Sequence, residues 1–129
     1  MDLKETAVSL IGSVDSVDLN AVAFTPLYVV PTGKKLVVDH TKLRKLSASA
    51  GSAVVTFGKS TDKDDFVAAR TLSNLNAAGK AAKIEPVPNA TPQAIVEYVA
   101  DDIFGIDVTT AAGSACTATA ETLGKLANA

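Results

Sequence analysis

The chain has 129 residues, with 12 Lys and Arg against 14 Asp and Glu and a net charge of -2, so it is one domain's worth of protein and shows no basic face or stripe for nucleic acid. A single cysteine, Cys116, excludes an intramolecular disulfide, and with one histidine, His40, it leaves too few soft ligands for a tetrahedral zinc site. Apolar residues reach 47% but aromatics only 5%, with no Trp, which predicts a thin core of Val, Ile, Leu and Ala that draws on neighbouring subunits or a host assembly for stability.

Met1-Asp2-Leu3-Lys4-Glu5 carries no basic segment leading into a sustained apolar run, and Ala7 to Ile11 is far too short to span a bilayer. Neither secretion nor membrane insertion is therefore predicted, and synthesis in a reducing cytoplasm fits best. Thr6 to Ile11 reads as a short strand or an arm laid on a neighbour, broken by Gly12-Ser13. From Val17, the residues Val17, Leu19, Ala21 and Ala23 fall into period-2 spacing with Asp18, Asn20 and Val22 opposite, a pattern that predicts a half-buried strand ended or kinked at Pro26.

Pro26 to Asp39 is the organising stretch. Two β-branched runs flank Pro31-Thr32-Gly33, where Pro31 fixes φ and Gly33 tolerates positive φ, so a tight turn and a hairpin are predicted, with the second arm continuing through Thr41 and Leu43. His40, Lys42 and Arg44 share one face of that arm, which reads as wet. Ser47 to Ser52 is a turn, and Ala53 to Phe57 resumes β character as the partner in a second hairpin. Lys59 to Asp65 is the most polar segment. Phe66, Ala69 and Leu72 after it are spaced for one or two helical turns capped by Asp62, Asp64 or Asp65 and closed near Gly79, giving a long crossing loop with a short helix.

Ala82 to Val87 is a short strand stopped by Pro86 and Pro88, and Pro88 to Pro92 a rigid loop. Ala94 to Val99 and Ile103 to Val108 are strands predicted to pair across Asp101-Asp102. Ala111 to Ser114 turns into a last strand over Cys116 to Leu123. About seven or eight short strands with turns every 8 to 12 residues is the pattern of an all-β fold, an antiparallel β-sandwich or jelly roll. Residues 1–129 form a single domain in this reading, with 1–12 an N-terminal arm or edge strand.

The chemistry-bearing residues do not assemble into a site. Asp39 neighbours His40, but successive side chains on a strand point to opposite faces, so a triad built on them is not expected. Counted as a calcium loop from Asp62, position six is Val67 where glycine is needed and position twelve is Ser73 where glutamate is needed. Asp101-Asp102 suits a turn better than paired acid catalysis, and Gly33-Lys34-Lys35 lacks the rest of a phosphate loop. Asn89-Ala90-Thr91 is a glycosylation sequon with no route to use, and Cys116 reads as a small buried hydrophobe. No catalytic, cofactor-binding or metal-ligating residue is predicted, and no enzyme activity.

Leu27-Tyr28-Val29-Val30-Pro31-Thr32-Gly33-Lys34-Lys35-Leu36-Val37-Val38, Ala53 to Gly58 and Ile103 to Val108 together resemble small β-sandwich virion proteins of tailed bacteriophages. Tyr28 to Lys34 matches the Tyr-x-Val-Pro-x-Gly-Lys turn often seen there. The resemblance implies capsid decoration, or head-fibre or tail-accessory attachment, commonly as a homotrimer. The expected partner is a major capsid protein or another virion protein and the expected location the virion. No site residue is carried over, because function in such proteins lies in extended surfaces. The edge strands, Lys59 to Asp65 and residues 1–12 are the predicted contact surfaces. The alternative is a glycan- or receptor-binding head domain of a phage fibre, which needs exposed aromatic platforms that two Tyr and four Phe supply sparingly.

Overall fold

The computed structural model describes residues 8–85 and 97–129. The strands are β1 (Ser9–Asp18), β2 (Phe24–Val29), β3 (Lys34–Arg44), β4 (Val54–Lys59), β5 (Asp62–Thr71), β6 (Ala82–Ile84), β7 (Glu97–Val99), β8 (Ile103–Thr110) and β9 (Thr117–Asn128). A first sheet runs β1-β9-β3-β6, with β7 also paired to β3, and a second runs β2-β8-β4-β5. Both are antiparallel. The two sheets face each other across an apolar core, an arrangement consistent with the expected β-sandwich.

The Pro31-Thr32-Gly33 turn forms, with the Lys34 N–H donating to the Pro31 carbonyl at 3.2 Å and Gly33 at φ +80. It does not close a hairpin. β2 lies in the second sheet on β8, while β3 is the centre of the first. Pro26 lacks a ladder donor, which suits β2 only to an edge. Val30 is held by the turn between β7 and β8: its N–H donates to the Asp102 carbonyl at 3.0 Å and its carbonyl accepts from the Asp101 N–H at 2.9 Å. β3 instead pairs with β9 from Lys34 to Arg44 on one side and with β6 and β7 on the other.

The second predicted hairpin fails for the same reason, since β3 and β4 belong to different sheets. β7 likewise pairs with β3 and not with β8. Among the described residues, only β4 and β5 are consecutive strands paired with each other. Their turn falls at Ser60-Thr61, inside the segment expected to be a loop, and the predicted short helix is absent: Asp62–Thr71 is strand. Register shifts against β4 place Phe66 and Val67 both in the core, so the helix-like spacing of Phe66, Ala69 and Leu72 marks no shared face.

β1 runs through Gly12-Ser13, which was expected to break it, using bulges between Leu10 and Gly12 and between Val14 and Val17. The alternation from Val17 to Ala23 is not one strand. Asp18 Oδ1 accepts the Asn20 N–H at 2.8 Å and turns the chain after β1. Leu19 is then buried by exchanging backbone bonds with Cys116 and Ala112. β9 outruns its expected end at Leu123 and reaches Asn128, where the Ala129 N–H donates to the Gly33 carbonyl. The predicted strands at 82–87 and 94–99 are seen as β6 and β7; β6 ends before Glu85, and residues 86–96, with the Pro88 to Pro92 loop and the Asn89 sequon, lie outside the described residues.

The core is less aliphatic than composition suggests. Phe104 on β8 touches Phe57 at 6.4 Å, Phe66 edge-on at 5.6 Å and Tyr98 at 5.3 Å between ring centroids. Around this cluster lie Leu36, Leu43, Val30, Val55, Val67, Ile106 and Val108. The few aromatics are concentrated where they bind the two sheets together.

Candidate interaction surface

β1 is an edge strand: it pairs with β9 on one side, and no described strand forms a ladder with the other. Its Leu10, opposite Leu123 on the outward face, is 54% exposed, and Val8 just before the strand is exposed too. An edge that carries free backbone donors and acceptors beside apolar side chains can add a strand from another chain. Residues 1–7, the rest of the predicted arm, lie outside the described residues.

Outward on the first sheet, His40, Lys42 and Arg44 share a face with Leu123, Glu121 and Thr119, as their spacing predicts. Arg44 Nε meets Glu121 Oε1 at 2.8 Å. His40 itself is buried, and Asp39 Oδ2 lies 2.7 Å from its Nδ1. The expectation that adjacent residues point apart is overturned here by a bulge: Val38 faces Gly124 and His40 faces Leu123, leaving Asp39 extra. Gly124 is what allows it, because a Cβ there would stand 2.3 Å from the Val37 carbonyl oxygen. Among the described residues no hydroxyl hydrogen-bonds this imidazole, and no group of three His, Cys, Asp or Glu side chains is placed to hold a metal.

The acidic stretch splits into two parts. Asp65 turns inward, where its Oδ1 accepts from the Tyr98 hydroxyl at 2.7 Å and the Lys59 N–H at 3.3 Å. Burial pushes the Asp65 carboxyl above its ordinary pKa against the pull of those bonds, and burial beside that carboxylate pushes the Tyr98 phenol far up. Asp62 and Asp64 turn outward and line a depression of about 490 Å³ with Thr56, Ser60, Thr61, Lys63, Asp107 and Thr109. The Asp62 carboxyl is pushed up by its hydrogen-bond contact with Asp64. Lys63 Nζ sits 5.7 Å from the Phe24 ring centre.

A second cleft, of about 400 Å³, separates the ends of β5 and β6. Buried Leu72, Leu75 and Ile84 and exposed Arg70, Lys83 and Glu85 line it. Cys116 is buried as predicted, its Sγ donating to the Ala48 carbonyl at 3.3 Å. No helix among the described residues is long and apolar enough to cross a membrane.

No protein-family model matches the chain, and no curated protein does. Among solved structures, a chain of the cyanophage Pam1 capsid asymmetric unit is similar at 16% identity, with a TM-score of 0.46, over 92% of this chain and 84% of that one.

Proposed function

We propose that this chain is a structural virion protein that decorates a bacteriophage capsid and stabilises it by bridging coat subunits, as a homotrimer and without catalytic activity. The observation that supports this most is the β1 edge: a strand ten residues long, unpaired on its outer side among the described residues, with Leu10 exposed on it. Two bulges bend this edge, yet Val8 and Leu10 at its start keep apolar side chains exposed, which suits a docking surface. The turn from Tyr28 to Lys34 supports the same reading through the resemblance it carries. Here it is a stapled crossover between sheets, fixed by Val30 and by Ala129, and so a rigid base for the surface.

The test is co-sedimentation of the purified chain with empty shells assembled without it, followed by shell melting with and without the chain. Salt-resistant attachment and a raised shell melting temperature are the expected result. A strictly monomeric chain with no affinity for any shell, or glycan binding without shell binding, contradicts the proposal, the second outcome in favour of a fibre head domain.

A further inference from the structure

The side of the sandwich closed by β1 and β2 carries a charge pattern of its own. Residues 8–33, which include both strands, hold no Lys or Arg although the chain has 12. Lysine is a common guard against strand addition at an edge, and β1 lacks it. Its charged side chains are Asp15 and Asp18, and neither forms an ion pair among the described residues. β2 leaves the edge open. A Cβ on Gly12, which faces the core opposite Thr122, would stand 3.2 Å from the Leu27 carbonyl oxygen, so β2 lies beneath β1 and shares no ladder with it.

Apolar and acidic groups are separated along this edge. Register sets Leu10, Ser13 and Asp18 opposite Leu123, Glu121 and Thr117 on the outward face, so the strand is apolar at its start and acidic at its end. Bulges between Leu10 and Gly12 and between Val14 and Val17 divide the two parts. Both carboxylates are held in place, Asp15 Oδ1 accepting from the Thr119 hydroxyl at 2.9 Å and Asp18 Oδ1 from the Asn20 N–H at 2.8 Å. Each Oδ2 is left to accept from another donor, and a carboxylate already fixed forms a charge-assisted bond at little ordering cost. The edge therefore matches a strand that brings a cation at one end and aliphatic side chains at the other.

We propose that the β1 edge receives an extended segment of the coat protein in which a basic residue precedes aliphatic ones, the cation seated against Asp15 and Asp18 and the aliphatics on Leu10. The order follows from antiparallel addition, the pairing used throughout both sheets. That the partner is a coat protein rests on the attachment role proposed above, while the preference of the edge for that charge and order does not. The test is nuclear magnetic resonance on the isolated full chain, titrated at constant ionic strength with three blocked threonine-valine peptides. One carries two arginines near its N-terminus, one carries two glutamates there, and one carries the arginines near its C-terminus.

The first peptide is expected to produce saturable shifts confined to β1 and the facing residues of β9, and to bind at least about fivefold more tightly than the other two. Asp15→Asn combined with Asp18→Asn keeps the oxygens that accept from Thr119 and Asn20, and should erase that preference. Leu10→Ser should weaken all three peptides. Asp62→Asn combined with Asp64→Asn makes the same charge change on β5 and leaves the preference unchanged. Equal binding of the three peptides, shifts on β5 or β6 instead, no shifts at all, or a preference that survives the Asp15 and Asp18 changes each overturn the proposal. Concentration-dependent shifts on β1 without peptide overturn it in favour of a second copy of the chain. Because no shell is present, a negative result leaves shell attachment standing, and failed attachment leaves the selectivity of the edge standing.

Discussion

Tyr98 on β7 reaches across the core to Asp65 on β5, its hydroxyl donating to Oδ1 at 2.7 Å. This bond ties the first sheet to the second next to the Phe104 cluster. Tyr98→Phe is expected to cost about 1–3 kcal/mol, because it removes a partner from a half-buried carboxylate. Urea unfolding at neutral pH checks this. The loss should shrink at pH values where Asp65 is protonated, since a neutral carboxyl is cheaper to leave underbonded.

Burial raises the folded pKa of Asp65 above the ordinary carboxylate value, so the folded state holds the proton more tightly than the unfolded chain. The stability this contributes is present below the unfolded pKa and lost as pH rises through the folded one. Asp65→Asn keeps a carbonyl to accept from Tyr98 and Lys59 but cannot ionise. Its melting temperature should fall less than the wild type's between acidic and neutral pH. A parallel decline in both proteins contradicts the assignment.

Phe104 is fully buried and touches three rings. Phe104→Ala should therefore cost about 3–5 kcal/mol, whereas Val22→Ala, at a 68% exposed position, should stay within about 0.5 kcal/mol. Denaturant titration of both variants separates a packed inter-sheet cluster from a loosely filled core.

Two glycines predict opposite severities. Gly33 has φ +80 with open space around its added Cβ, so Gly33→Ala should lose only about 1–2 kcal/mol from the left-handed backbone. A Cβ on Gly124 would meet the Val37 carbonyl oxygen at 2.3 Å, so Gly124→Ala must move β3 or β9 and should lose about 3 kcal/mol or more. It should also shift the His40 ring resonances, because the bulge that brings Asp39 to His40 is disturbed.

Thr122 is fully buried on the core face opposite Thr41, and its Oγ1 has no hydrogen-bond partner among the described residues. Thr122→Val keeps the shape and removes the orphaned hydroxyl, so it should raise stability by about 1 kcal/mol. A loss of stability instead would mean that this hydroxyl is satisfied in solution.

Strand class was legible in the sequence where alternation was clean, as in Phe104 to Val108, and so were the turns at Gly33, Asp101 and Gly113. Pairing was not. A turn signal such as Pro31-Thr32-Gly33 fixes a chain reversal, but a reversal between two facing sheets has the same local chemistry as a hairpin, and only distant partners, β8 for β2 and β9 for β3, tell them apart. Bulges hid the rest. In β5 a register shift buries the neighbours Phe66 and Val67 while Ala69 faces outward and Leu72 lies past the strand's end, so the helix-like spacing of Phe66, Ala69 and Leu72 marks no shared face, and at Asp39 a bulge places side by side two side chains that regular pleating separates.

Attachment through the β1 edge is the centre of this account, and electron microscopy of particles assembled with and without the chain tests it most directly. Added density is expected on the outer shell surface where coat subunits meet, with β1 against a coat subunit, and is expected to be lost when Leu10→Asp replaces the wild type in an otherwise stable fold. Identical particles in both preparations, or density that persists undiminished with Leu10→Asp, would contradict it.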